Sequence, residues 1–325
     1  MRLRGIVAAL LLFGQIGAAR AADHINFGLD WQAEAEYGGY YQALATGIYQ
    51  RYGLDVAIRE GGPQVNQAEA LLAGRLDLDL ASNSYLALNL VQQHIPFRAV
   101  AAFFQKDPSV LIAHPGQGHD SFEQLKGVPI MIGADTRAGW WNFLRARFGY
   151  SDSQIRPYDF SLAPFLANPK AVQEGYLGSE PYLIKQQTGQ SPVVMLLGDA
   201  GFSGYGSLLV TSDRMIAGRP DVIARFIAAT REGWESYLNG DPAPGNALIK
   251  RDNPEMTDDL LAYGRGVLKS YGIVQPAPEK IGQGKIGAMS EARWRDFYQT
   301  MQKAGLYPAS LDWHRAYTLQ FVGSP

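Results

Sequence analysis

The residues best able to do chemistry stand at the ends of apolar runs that read as strands. Asp30 and Trp31 close the run 25–31, and Tyr37, Gly38, Gly39, Tyr40 and Tyr41 follow at once. Glycines let backbone N–H groups come close to a bound molecule, and the aromatic rings supply flat faces with polar tips. Gly61-Gly62-Pro63 follows the run 54–59, and Ser82-Asn83-Ser84 follows 76–81. Ser82 and Ser84 are as well explained as ordinary helix N-caps. Asn83 is the better ligand contact, because its amide both donates and accepts.

The second half of the chain repeats this arrangement. Asp135-Thr136 ends a strand, and Trp140-Trp141 opens the next helix. Neighbouring residues on a helix point about 100° apart, so one tryptophan belongs to a core while the other can face a cleft. Tyr176 and Glu180 precede a helix expected around 182–187. Glu180 suits a helix N-terminus electrostatically, and it also suits the role of acceptor for amino groups on a ligand. The candidate ligand contacts are therefore Trp31, Tyr37, Gly39, Tyr40, Gly62, Asn83, Thr136, Trp140, Tyr176 and Glu180. Aromatic residues make up 11% of the chain. Their gathering at strand ends points to stacking on a planar molecule, worth about 0.5–1.5 kcal/mol per ring contact beyond burial. Phe226 and Phe297 read instead as core.

Competing chemistries find little support. Gly282-Gln283-Gly284-Lys285-Ile286-Gly287 spells G-x-G-x-x-G, but a dinucleotide site needs a strand before it and a helix after it. Here it falls after Pro276 and Pro278 in a helix-rich region, so it reads as a loop. Of the five histidines only His114 and His119 lie close together, too little for zinc without a carboxylate partner. Gly201-Phe202-Ser203-Gly204 lacks the full nucleophile elbow. The chain has no cysteine, which excludes disulfides, thiolate metal sites and a cysteine nucleophile. No catalytic residue, metal ligand or cofactor is expected.

The elements that must position these residues follow from patterning. Arg2 and Arg4, the apolar run 6–13 and Ala19-Arg20-Ala21 make the three-part layout of a cleavable leader over residues 1–21. The run is far shorter than the roughly 18–20 residues that span a bilayer. The expected mature protein is soluble, exported to the periplasm, not membrane-embedded and monomeric. With 29 basic and 31 acidic residues and no long basic run, nucleic acid is not an expected partner. The remaining length of about 300 residues usually divides into two lobes. Strands over 25–31, 54–59 and 76–81 alternate with helices over 39–52, 64–73 and 85–93. Apolar stretches at 97–104 and 110–113 follow. A second α/β set runs through strands 128–132, 154–159 and 193–197, with a further strand at 206–210. Long amphipathic helices over 221–238, 256–271 and 290–303 close the chain, with a loop at 241–245. Such a βα rhythm expects mainly parallel sheets flanked by helices, and ligands of such sheets sit beyond the carboxyl ends of the strands.

Read together, Leu29-Asp30-Trp31, Gly38-Gly39-Tyr40-Tyr41-Gln42-Ala43, Gly47-Ile48-Tyr49 and Gly53-Leu54-Asp55-Val56 carry a resemblance. Gly61-Gly62-Pro63, Ala73-Gly74-Arg75-Leu76-Asp77 and Phe104-Gln105-Lys106-Asp107-Pro108 extend it. The chain resembles solute-binding proteins for thiamine-pyrimidine precursors, a family that also includes sulfonate, taurine and nitrate binders. Gly175-Tyr176 and Ser179-Glu180-Pro181 favour the pyrimidine branch. The resemblance covers roughly residues 25–240. It implies a two-lobed, type II periplasmic-binding-protein fold, with residues 22–106 and 207–325 in one lobe and 107–206 in the other. It also implies hinge closure over a small-molecule ligand and delivery to the permease of an ABC importer. Trp31 and Tyr176 would flank a ring, and Glu180 would accept from an aminopyrimidine. Riboflavin, or a small sulfonate held by Arg137 and helix N-termini, is the alternative cargo. A periplasmic enzyme on the same fold is the alternative of another class. The related fungal enzyme carries a cysteine-rich motif and the related desulfinases a cysteine nucleophile. This chain has neither, so the expectation is a binding protein that is not an enzyme.

Overall fold

A computed structural model describes residues 21–62, 65, 67–275 and 285–322. The expected leader, apart from Ala21, lies outside the described residues, as do Pro63 and the Gly282–Gly284 portion of the glycine motif. Strand β1 (Asp23–Gly28) is followed by a single 3-10 turn (Ala35–Tyr37) and helix α1 (Gly38–Ala45). The one helix expected over 39–52 is in fact two. Gly47 sits at φ +70°, a left-handed conformation that breaks the helix before α2 (Ile48–Arg51). Then come β2 (Leu54–Arg59), α3 (Gln67–Leu72), β3 (Asp79–Asn83), α4 (Ser84–Gln92) and β4 (Phe97–Phe104). β1 and β2 pair in parallel from Asp23↔Leu54 to Gly28↔Arg59, and a parallel bridge between Phe27 and Leu78 ties β1 to the chain entering β3.

Strand β5 (Ser109–Ala113) starts a second sheet. It is followed by β6 (Ile130–Ile132), α5 (Ala134–Ala138), α6 (Trp141–Phe148), β7 (Ile155–Pro157) and α7 (Ala163–Ala167). β8 (Val172–Tyr176), α8 (Glu180–Thr188) and β9 (Val193–Leu196) complete it, in the order β7-β6-β8-β5-β9. The chain then returns as β10 (Gly206–Ser212), which lies antiparallel between β3 and β4 of the first sheet. The pair β1-β2 and the sheet β3-β10-β4, tied by the Phe27–Leu78 bridge, make one lobe with their helices, and the five-stranded sheet with its helices makes the other. One strand runs against the others in each. β5 and β10 are the strands by which the chain enters a lobe from the cleft side, so they point away from it. The strands they pair with, β3, β4, β8 and β9, run the opposite way and direct their carboxyl ends to the cleft. β5, an inner strand of its sheet, is buried along its whole length, and β4, at the edge of β3-β10-β4, is buried along nearly all of its own.

Helices α9 (Asp213–Gly218), α10 (Pro220–Asn239), α11 (Ala243–Asp252), α12 (Asp258–Ser270) and α13 (Glu291–Lys303) follow. The loop expected at 241–245 is cut short by α11, which has Pro242 at its N-cap and Pro244 in its first turn, where a missing N–H costs nothing. α10 lies directly on α1. A Cβ at Gly39 would stand 2.2 Å from the Trp234 ring, and one at Gly233 would stand 2.3 Å from the Gly39 carbonyl. From α13, Arg293 reaches the two crossings between lobes. Its guanidinium donates to the carbonyls of Gln105, Ser203 and Gly204 and lies 4.1 Å from the centre of the Tyr205 ring. Lys106 and Asp199 pair at 3.1 Å between the same crossings. Among the described residues, no helix is long and apolar enough to cross a membrane.

Candidate functional site

The first wall of the cleft is the segment that leaves β1. Leu29 N–H donates to the Arg59 carbonyl at 2.8 Å and carries the sheet one residue further. Asp30 and Trp31 then emerge at its carboxyl edge. Asp30 accepts from the Tyr37 hydroxyl at 2.8 Å and from the Ser82 hydroxyl at 2.5 Å. One carboxylate thus joins the ends of β1 and β3 to the 3-10 turn. Glu60 accepts from the Ala33 N–H at 2.6 Å and holds the middle of the segment.

The opposite wall comes from the second sheet. Tyr176 closes β8 and Glu180 opens α8. The Glu180 Oε2 accepts from the Tyr176 N–H at 2.7 Å and from the Ser179 hydroxyl at 2.6 Å. Beside them Glu174 accepts from the Gly133 N–H at 3.0 Å, and Tyr158 accepts from the Gln173 amide at 3.1 Å. Phe160, past the end of β7, reaches across the cleft. Its ring centre is 4.6 Å from that of Trp31 and 5.1 Å from that of Tyr158. Phe160 holds a left-handed φ of +67° and is 38% exposed. A bulky residue there is strained.

Carboxyl groups crowd these walls. Burial, then Glu36, Glu180 and Asp30, hold the Glu34 carboxyl well above its usual range. Burial, reinforced by Glu180, pushes Glu36 up to about 7. Burial also raises Glu180, against the hydrogen bonds that favour its charge. In the floor, burial and Asp30 push Asp79 to about 8, and burial pushes Asp107 to about 6. Glu36 Oε1, Asp79 Oδ1 and Asp107 Oδ2 are buried without a hydrogen-bond partner. No basic side chain acts on these five groups among the described residues. Desolvated negative charge without a counterion is expensive. The cleft can therefore accept positive charge or N–H donors, and its rings can cover the faces of a flat molecule. Among the described residues no group of His, Cys, Asp or Glu side chains is arranged to hold a metal ion.

Of the residues singled out from sequence, Trp31, Tyr37, Tyr176 and Glu180 come together here. Burial raises the Tyr37 and Tyr176 hydroxyls, and the Asp30 carboxylate acts on both. Gly62, at φ +143°, lies half-buried beyond β2, one residue after Gly61, whose N–H donates to the Trp31 carbonyl at 3.1 Å. Thr136 is half-buried on α5. The others do structural work. Tyr40 is fully buried, shares a hydrogen bond with Ser207 at 3.2 Å and packs on Phe27, Phe103 and Trp234. Gly39 makes room for Trp234. The Asn83 side chain caps α4, accepting from the Tyr85 and Leu86 N–H groups. Trp140 is 4% exposed within the core, and Trp141 is buried with its indole N–H on Asp152. Neither tryptophan is left open. Sequence reasoning passed over Glu34, Glu36, Tyr158 and Phe160. Tyr158 and Phe160 could have been found, since they flank the end of a strand it did place.

A family model described as "NMT1/THI5 like" matches residues 34–243. The 4-amino-5-hydroxymethyl-2-methylpyrimidine phosphate synthase THI13 of Saccharomyces cerevisiae is 22% identical over 259 residues, 74% of each chain. The enzyme of that name in Schizosaccharomyces pombe is 24% identical, over 68% of this chain and 67% of its own. Among solved structures, the periplasmic aliphatic sulphonate binding protein SsuA from Escherichia coli superposes with a TM-score of 0.65. It is 15% identical and covers 93% of this chain and 92% of its own, so it shares the periplasmic-binding-protein fold. The synthase names overturn the expectation that the chain is not an enzyme. That expectation rested on the missing cysteines and the leader-like start; the first removes thiolate chemistry only, and the second bears on location, not on catalysis. Carboxyl groups poised near neutrality, such as Glu36 at about 7, remain able to move protons.

Proposed function

The chain belongs to the NMT1/THI5-like family, and we propose that its cleft captures a small, planar, amino-bearing nitrogen heterocycle such as a thiamine-pyrimidine precursor. The observation that carries this reading is the unbalanced carboxyl cluster facing the rings of Trp31, Tyr176 and Phe160. An aminopyrimidine offers N–H donors to carboxylates at its edge and two flat faces to aromatic rings. A sulfonate would add negative charge beside Glu34, Glu36 and Glu180, and Arg137 is exposed on α5. A flavin has the flat face, but its dione edge is mostly acceptors, a poorer match to carboxylates. The ligand stabilises the closed arrangement of the lobes in proportion to its differential affinity for it. We assign the protein to the periplasm as the ligand-binding component of an ABC importer. The leader-like start of the sequence supports this, as does a shared fold with a periplasmic sulphonate binder.

Calorimetry with 4-amino-5-hydroxymethyl-2-methylpyrimidine, riboflavin and taurine tests the cargo. Heat is expected with the pyrimidine, and binding of taurine alone would sink the reading. Glu180→Gln should weaken pyrimidine binding by about tenfold or more, the scale of a hydrogen bond to a charged group. The names of the curated relatives favour a second reading, in which the bound pyrimidine is product or substrate. Mass spectrometry of ligand recovered after prolonged incubation separates the two, since only turnover changes the mass.

A further inference from the structure

We infer that Glu36 selects the ligand by charge: lobe closure buries its carboxylate against Gly178, so closing demands a cation from the ligand or a proton from solvent. This rests on the proposed role of the cleft as a ligand site. Glu36 sits on the 3-10 turn of the first lobe, and Gly178 lies in the loop between β8 and α8 of the second. A Cβ on Gly178 would stand 1.8 Å from Glu36 Oε1. The glycine therefore leaves open the space that this oxygen occupies, which any side chain there would fill. From the other side, a Cβ at Gly264 of α12 would stand 2.7 Å from the Ala35 Cβ, so the turn cannot retreat. Glu36 is 3% exposed and its Oε1 has no hydrogen-bond partner. When the second lobe swings away, Gly178 leaves with it and the carboxylate meets water.

The groups facing Glu36 offer no charge to offset it. Glu34 lies on its own segment, Glu180 and Tyr176 come from the second lobe, Tyr237 from α10 and Tyr263 from α12. Arg265, next to Tyr237, is taken up by the carbonyls of Tyr237, Leu238 and Gly240. Burial pushes the Glu36 carboxyl up to about 7, in keeping with a group that closing strips of water. A closed ligand-free state thus holds the proton to about pH 7, whereas a water-exposed carboxyl in the open state releases it near 4.5, so closing loses ground by up to about tenfold per pH unit as pH rises between the two.

Two measurements on the full chain test this. Small-angle scattering of ligand-free protein should show Glu36→Gln more closed than wild type at pH 8 and equal to it at pH 5. A variant no more closed than wild type at pH 8 overturns the inference. Gly178→Ala, which fills the space of the carboxylate, should be open at both pH values. The second measurement compares benzamidine with benzamide, two planar probes of one shape that differ in charge. Wild type should prefer benzamidine at pH 8, and Glu36→Gln should lose at least tenfold of that preference. An unchanged preference also counts against Glu36. If neither probe nor the aminopyrimidine binds wild type, the proposed cargo fails, while scattering still decides the role of Glu36.

Discussion

Asp79 is 5% exposed, and burial together with Asp30 pushes its carboxyl from 3.8 to about 8. The unfolded chain releases this proton near pH 4, whereas the folded chain keeps it until about 8. Stability is therefore lost as pH rises through that window and regained in acid. Asp79→Asn, neutral at every pH, should raise unfolding stability by about 2–4 kcal/mol at pH 8 and leave it unchanged near pH 4. Urea unfolding at several pH values checks both the size and the sign. Nothing in the sequence marked Asp79 or Glu36 as buried. A carboxylate on a strand or turn reads as exposed until the fold shows what lies over it. Trp31 and Tyr37 drew notice at or beside a strand end, and Tyr176 and Glu180 ahead of a helix, because those positions are set locally. Asn83 sits there too, but its oxygen is engaged by the first turn of α4.

Among the elements, the crossing of α1 and α10 shows why small residues recur near the site. Gly38 and Gly39 bring α1 against the Tyr237 and Trp234 rings, and Gly233 lets the two backbones meet. Gly39→Ala should cost about 1–3 kcal/mol by overpacking and lower the melting temperature. Pyrimidine affinity should stay within about twofold of wild type, since the glycine touches a helix and not the cleft; a larger loss measured by calorimetry would return Gly39 to the ligand site. Of the elements themselves, β8 was missed altogether. Gln173, Glu174 and Gly175 are poor strand formers on local propensity. Pairing with β5 and β6 on either side overrides that preference. The missed strand carries Tyr176, which is why the second wall was the less legible one.

At the scale of the whole molecule, the two crossings between lobes are held by a side chain remote from them in sequence. Arg293 joins the carbonyls of Gln105, Ser203 and Gly204 and covers the Tyr205 ring. A lysine keeps the charge but not the planar fork that reaches both crossings. Arg293→Lys should lower stability by about 1–3 kcal/mol and broaden the distribution of distances between lobes. Spin labels on α4 and α8 would measure the broadening. A distribution as narrow as that of wild type would show that the crossings are held by other contacts.

The sequence by itself determined the class of fold, most strands and the long terminal helices, because hydrophobic period, glycine breaks and N-caps act over a few residues. It also located the aromatic strand ends. Only the tertiary structure decided which of those residues share a cleft and which serve the core. It alone showed that Phe160 meets Trp31 and that carboxyl groups from distant segments face one another without a counterion. Burial and the meeting of charges depend on contacts between residues far apart in the chain, and no local pattern records them.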